Sequence, residues 1–171
     1  MPASESFALS VVASEIDAHE TPKMAVPRRR LSVTLKRDPA IEVSRVSLGG
    51  QKLVYILVQD KKHKYKKGRS RVAYIGTTKN GANRVANSSA VRAGDILGSR
   101  GVRRFEARII TCRPRQNVKT WVKLERALLL TFREMYGEVP RCNSHGKKIK
   151  EFDEYRYFAK SRLKRILEDL A

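Results

Sequence analysis

Five residues of this chain have types and spacings that could do chemistry together: Tyr55, Tyr74, Arg84, Glu125 and Asn143. A tyrosine hydroxyl titrates near pH ~10, so it serves as a base only where a nearby cation lowers that value. A fixed Arg brings charge and bidentate donors to an oxyanion. A carboxylate can hold a hard cation. Hydrolysis of a phosphodiester needs a positioned water, relief of charge on the phosphate and a stabilised leaving oxygen. Each residue also has an ordinary explanation when taken alone. Tyr55 and Tyr74 read as core aromatics with satisfied hydroxyls, and Arg84 as one more solvated charge. Glu125 reads as a helix-surface carboxylate paired with Lys123 or Arg126, and Asn143 as a turn residue after Pro140.

The charge balance narrows the choice of partner. The chain has 171 residues, with 37 Lys and Arg against 17 Asp and Glu, for a formal net charge of +20. Its isoelectric point is about 10.5. Such self-repulsion is tolerated more readily when a polyanion neutralises it. Nucleic acid is the usual polyanion, bound largely through counterion release. No apolar run approaches bilayer-spanning length, and no positive stretch precedes an apolar one at the N-terminus, so neither a membrane span nor a signal peptide is expected. Two cysteines, Cys112 and Cys142, make neither a disulfide framework nor a four-ligand zinc site. Reduced thiols in a cytoplasmic protein are the expectation.

The elements that must position the five residues follow from pattern. Residues 1–30 read as a mobile N-terminal tail ahead of a domain at 31–148. Leu31, Val33 and Leu35 alternate with polar residues as in a strand, and Ile41 to Val46 give a weaker signal for another. Leu53 to Val58 (LVYILV) is a buried-strand run. Lys61 to Arg71 (KKHKYKKGRSR) reads as a basic loop with Gly68 at the turn, leading to a second strand, Val72 to Gly76 (VAYIG). Thr77 or Thr78 caps a helix that runs through Arg84 towards Ala90. Gly94 to Gly101 is a loop, and Phe105 to Cys112 a third strand. Asn117 caps a long helix from Val118 to Tyr136, which Gly137 stops. An amphipathic C-terminal helix at 149–171 packs on the domain. The order predicts an α+β fold: a small, mainly antiparallel three-stranded sheet flanked by helices.

Leu53-Val54-Tyr55 and Tyr74-Ile75-Gly76, each on a strand of one hairpin, resemble the two halves of the GIY-YIG nuclease signature. Arg84 lies eight residues after Gly76 on the following helix, which matches that family's spacing. Glu125 with Leu128 and Leu129 resembles its Glu-x-x-Leu-Ile helix, and Pro140-Arg141-Cys142-Asn143 its Pro-x-x-Asn ending. The resemblance covers residues 53–143. Leu53 stands where the family's first glycine would be. Thr77 follows Gly76 where many members carry a Lys, for which Lys79, Lys67 or Arg71 could substitute. The interval from Glu125 to Asn143 is longer than the common form by about two helical turns, which leaves Glu134 as an alternative to Glu125.

The resemblance implies a single-metal phosphodiesterase acting on DNA, with RNA as the alternative polymer. Tyr55 and Tyr74 would position or deprotonate the attacking water, and Arg84 would hold the scissile phosphate. Glu125 would bind Mg²⁺ or Mn²⁺, and Asn143 would orient the site. A phosphate-tracking surface would come from Lys61, Lys62, Lys64, Lys66, Lys67, Arg69, Arg71, Lys79, Arg103, Arg104, Lys147 and Lys148. His145 reads as a surface loop residue. Two rivals remain at this level: a non-catalytic nucleic-acid-binding module with the same fold, and a structural RNA-binding protein.

Overall fold

The computed structural model describes residues 52–144, 146, 150 and 153–171. The tail expected at 1–30, the strand signals at 31–35 and 41–46, and His145, Lys147 and Lys148 lie outside the described residues.

Strands β1 (Leu53–Tyr65), β2 (Gly68–Thr78) and β3 (Phe105–Ile110) form one antiparallel sheet in the order β2-β1-β3. Helix α1 (Gly81–Leu97) follows β2, and α2 (Thr120–Tyr136), α3 (Glu154–Tyr157) and α4 (Lys160–Asp169) follow β3. The fold is α+β, with a three-stranded antiparallel sheet packed against helices. The central strand decides the layering, because successive side chains of a strand point to opposite faces. Val54, Ile56 and Val58 pack with Leu124, Leu128, Phe132, Leu163 and Leu167 of α2 and α4. Tyr55 and Leu57 pack with Val85 and Ile96 of α1. The run LVYILV is therefore apolar throughout because both faces of β1 are covered.

Several boundaries differ from the sequence expectation, each for a physical reason. The basic segment after Val58 is not a loop. β1 continues to Tyr65, and β2 begins at Gly68, whose φ of 121° suits a glycine. Tyr65 drives this extension. It is buried against Phe132 and Tyr136, and its hydroxyl donates to the Val72 carbonyl at 2.6 Å. α1 runs past Ala90 and through Gly94 to Leu97. A mid-helix glycine costs ~1 kcal/mol, and burying Ile96 completely offsets it. The helix starts at Gly81 rather than at the threonines. Thr78 Oγ1 accepts from the Asn80 N–H at 2.9 Å and shapes the turn before it. Asn117 does not cap α2. It has a φ of 57° in a turn closed by Arg115 and Val118, and α2 starts at Thr120. Asparagine tolerates that left-handed conformation better than most residues.

The C-terminal segment is likewise two helices. Phe158 and Ala159 are extended (ψ 126° and 121°) between α3 and α4, and Phe158 packs on the core formed with α2. Ion pairs from α2 hold this segment: Arg126 Nε to Glu154 at 2.6 Å, and Lys123 to Asp153.

The end of α2 also anchors the hairpin tip. Gly137 closes the helix with a φ of 79°, its N–H bonding the Arg133 carbonyl at 2.8 Å. The Lys67 N–H donates to the Tyr136 carbonyl at 3.0 Å, and the Lys66 N–H to Glu138 Oε1 at 3.0 Å. A Cβ on Gly137 would lie 3.0 Å from Lys66 Cβ and 3.1 Å from Lys67 Cγ. Gly137→Ala therefore combines left-handed strain with crowding at the tip. It should lower stability by about 1–2 kcal/mol, read as a lower urea midpoint with unchanged slope.

Candidate functional site

The site forms where β2 passes between β1 and the chain segment that follows α2. Tyr55 pairs with Gly76 and Leu57 with Tyr74, whereas Val58 pairs with Val72. Ala73 is thus the extra residue of a β-bulge, which lets Val72 face the α2 side while Tyr74 shares a face with Tyr55. The two tyrosine rings are 5.8 Å apart at an interplanar angle of 41°. Tyr55 is 2% exposed, and its hydroxyl donates to Ser88 Oγ of α1 at 2.6 Å.

Tyr74 folds back over Gly76. A Cβ at Gly76 would lie 2.5 Å from Tyr74 Cε1 and 2.7 Å from its hydroxyl oxygen. Here glycine is needed for space, since the ring occupies the volume that any side chain would take. The Tyr74 hydroxyl is pushed up to about 12. Burial is the main cause, the neighbouring Tyr55 adds to it, and Arg92 opposes it. The Arg92 guanidinium carbon lies 3.7 Å from the Tyr74 ring centre, and its Nη1 donates to Ser88 Oγ at 2.7 Å.

Asn143 is buried, and its carboxamide closes both backbone groups of Ile75: Oδ1 accepts from the Ile75 N–H at 2.9 Å, and Nδ2 donates to the Ile75 carbonyl at 2.7 Å. The Cys142 N–H bonds the Ala73 carbonyl at 3.0 Å. The segment Pro140–Asn143 therefore seals the outer edge of β2 on both sides of Tyr74.

Glu125 is carried by α2, the helix of the opposite face. Burial raises its carboxyl to about 7, opposed by Arg126. Its charge reaches Tyr74 and adds to the rise there. Arg126 turns its guanidinium to Glu154 and to the Lys150 carbonyl rather than to Glu125. Glu134 is engaged elsewhere. Its Oε2 pairs with Lys160 at 2.6 Å, and its Oε1 accepts from the Tyr155 hydroxyl at 3.1 Å.

Three of the five residues singled out by the resemblance thus meet around β2, Tyr55, Tyr74 and Asn143, and Glu125 on α2 acts on Tyr74 electrostatically. Arg84 stands apart, exposed on α1, one turn before Ser88. Of the cations offered in place of a Lys after Gly76, Lys67 lies at the hairpin tip. Arg71 donates to the Ala171 carbonyl at 3.3 Å, and Lys79 is exposed beyond the end of β2. Ser88 and Arg92 escaped the sequence reading. Their signal is the i, i+4, i+8 spacing with Arg84, which shares one helix face but needs α1 to extend past Ala90.

The chain matches no family model, and comparison with curated proteins and with solved structures returns no match.

Among the described residues no three His, Cys, Asp or Glu side chains gather as a metal cluster. A single desolvated carboxylate suits Mg²⁺ or Mn²⁺ only where waters and substrate oxygens complete the shell, which is the usual habit of Mg²⁺. Glu125 fits that limited role, because the adjacent Arg126 is committed to Glu154. Along the hairpin and before β3, Lys61, Lys62, Lys64, Lys66, Lys67, Arg69, Arg103 and Arg104 are exposed, whereas Arg71 is half-buried. Asp60 joins two of these groups: its N–H bonds the Arg104 carbonyl at 3.0 Å, and its carboxylate accepts from the Arg103 N–H at 3.2 Å. A cleft of about 490 Å³ opens on the far side of Asn143, lined in part by Lys66, Arg133, Glu138 and Arg141. It touches neither tyrosine, and the chemistry of the tyrosine pair does not depend on it.

The raised Glu125 carboxyl has a pH signature. The unfolded chain releases this proton near 4.5 and the native state near 7. Between those values the native state binds more protons, so stability falls as pH rises. Urea unfolding of wild type and Glu125→Gln at pH 5 and pH 8 should show this component in the wild type and its loss in the variant.

Proposed function

We propose that this chain is a divalent-metal-dependent endonuclease that hydrolyses phosphodiester bonds of DNA. The observation that carries the reading is the pairing of Tyr55 and Tyr74 on one sheet face, with the desolvated Glu125 carboxyl within electrostatic reach of Tyr74. The ordered resemblance to the GIY-YIG signature supports it. When bound, Mg²⁺ or Mn²⁺ would relieve phosphate charge and stabilise the leaving oxygen. The rest falls to the side chains. Glu125 holds the cation. Tyr74 and Tyr55 would orient the attacking water, and a cation held by Glu125 would lower the proton affinity that burial gives Tyr74. Arg84, exposed on α1 apart from these groups, would have to swing in to hold the scissile phosphate. Asn143 keeps β2 in place.

The net charge of +20 supports a polyanionic substrate. Lys61, Lys62, Lys64 and Arg69 line a two-stranded ribbon, and Arg103 and Arg104 are tied to its base through Asp60. This arrangement suits a phosphate backbone. No helix of the described residues is long and apolar enough to cross a membrane, and Cys112 and Cys142 are free thiols. Both features suit work on nucleic acid in the cytoplasm. One observation favours the rival reading of a catalytically inactive binding module for DNA or RNA: a phenol pushed up to about 12 is a poor base on its own.

Cleavage of plasmid and branched DNA separates the readings. Wild type should cut with Mg²⁺ and not with EDTA. Glu125→Gln should lose on the order of 10²–10³-fold in rate while binding DNA as before. Salt-sensitive binding without metal-dependent cutting would favour the binding module, and a preference for structured RNA would favour the RNA reading.

A second measurement addresses the ribbon. Replacing Lys61, Lys62 and Lys64 by Ala should make the plot of log K against log salt shallower by up to about 3, close to 0.9 per lost phosphate contact. An unchanged slope would place the DNA elsewhere.

A further inference from the structure

Arg92 has no role in the mechanism above, yet its surroundings are specific. A surface arginine on a helix usually extends its head group into water. Here the guanidinium carbon lies 3.7 Å from the Tyr74 ring centre. Nη1 donates to Ser88 Oγ at 2.7 Å and to the Ser88 carbonyl at 3.3 Å. The same Ser88 Oγ accepts from the Tyr55 hydroxyl at 2.6 Å. Nε is buried and has no partner. The side chain thus gives up hydration to lie on one tyrosine and, through a single serine oxygen, to reach the other.

Tyr74 also lies close against the backbone at Gly76, where a Cβ would lie 2.9 Å from Tyr74 Cζ. The ring is therefore held by Arg92 and by the Gly76 backbone. Planarity matters for this task. A guanidinium stacks on an aromatic face and still donates in its own plane, whereas an ammonium can supply the charge but not both contacts at once.

We infer that Arg92 is the positioning residue of the tyrosine pair: it holds the Tyr74 ring against Gly76 and, through Ser88, holds the Tyr55 hydroxyl, so that both phenol oxygens are presented in one fixed arrangement. This inference rests on the endonuclease reading for its catalytic consequence, but not for its structural one. Arg92 acts through the tyrosines and not on the phosphate, which separates its role from that assigned to Arg84.

The test uses the full chain carrying ¹³C-labelled tyrosine, with Tyr74→Phe to assign the Tyr74 ring signals. In Arg92→Ala those signals should move towards the positions of a free tyrosine and average over ring flips. Arg92→Lys should fall between Arg92→Ala and wild type. In cleavage assays Arg92→Ala should lower kcat by about 100-fold, the size expected for a misplacement of ~1 Å, with KM and DNA affinity nearly unchanged. Arg92→Lys should recover part of the loss. Ser88→Ala removes the shared oxygen without removing the cation, and should shift the Tyr74 signals in the same direction by less. If Arg92→Ala fails to fold, Ser88→Ala and Arg92→Lys carry the test. Unchanged Tyr74 signals would overturn the inference. So would weakened DNA binding with kcat preserved, since that result makes Arg92 a phosphate contact. Absence of cutting by wild type would overturn the endonuclease reading instead, and the ring spectra would still decide the role of Arg92.

Discussion

The two hydrogen bonds between the Asn143 carboxamide and the backbone of Ile75 hold the rest of the arrangement together. β2 is an edge strand, and an edge strand carries a row of unpaired N–H and C=O groups. Ile75 has its outward pair closed by a side chain, and Ala73 has its carbonyl closed by the Cys142 N–H. Tyr74 lies between them, so its backbone is fixed on both sides. Loss of the carboxamide would leave two buried backbone groups unpaired, each at a cost of about 1–3 kcal/mol. Asn143 also follows directly from α2 through the Gly137 turn and Pro140. It therefore ties the chain leaving the helix that carries Glu125 to the strand that carries Tyr74.

The bulge at Ala73 does complementary work. Without it, Val72 and Tyr74 would share a face, and one of them would leave the core it fills. With it, Val72 stays opposite Val58 in the layer facing α2, and Tyr74 joins Tyr55 in the layer facing α1. A second irregularity, in β1 between Val58 and His63, resets the phase of the hairpin beyond, so that Tyr65 turns inward onto Phe132 while Lys62, Lys64 and Arg69 are exposed. Two breaks in register thus divide the work, one serving the tyrosine pair and the other the basic ribbon.

How much of this was legible in the sequence depends on the range of the interaction concerned. LVYILV and VAYIG announced their strands, because covered strands are continuously apolar. The lysine-rich remainder of β1 did not. Its strand character rests on Tyr65 meeting the end of α2, a contact between residues far apart in sequence. Gly94 read as a helix breaker because local propensity knows nothing of the apolar layer that receives Ile96. The same error hid Arg92, which the shortened helix excluded, and left Arg84 as the visible arginine. Spacing alone left Glu125 and Glu134 open. The tertiary partners distinguish their surroundings: Glu134 is occupied by Lys160 and Tyr155 of the C-terminal segment, whereas Glu125 lies within electrostatic reach of Tyr74.

The electrostatics of the site form a single problem rather than several. Burial raises the Glu125 carboxyl to about 7 and the Tyr74 phenol to about 12, and the Glu125 charge adds to the rise at Tyr74. Arg92 offsets only part of this for Tyr74, and Arg126 is committed to Glu154. In a chain with an excess of 20 positive charges, both acids are still shifted upward, because local desolvation outweighs the distant field. A divalent cation placed against Glu125 would reverse both shifts together, since it favours the charged form of each. Under the proposed function, proton release and cation binding are then one linked event. The burial that makes the tyrosine a poor base in isolation is what makes it responsive to the ion.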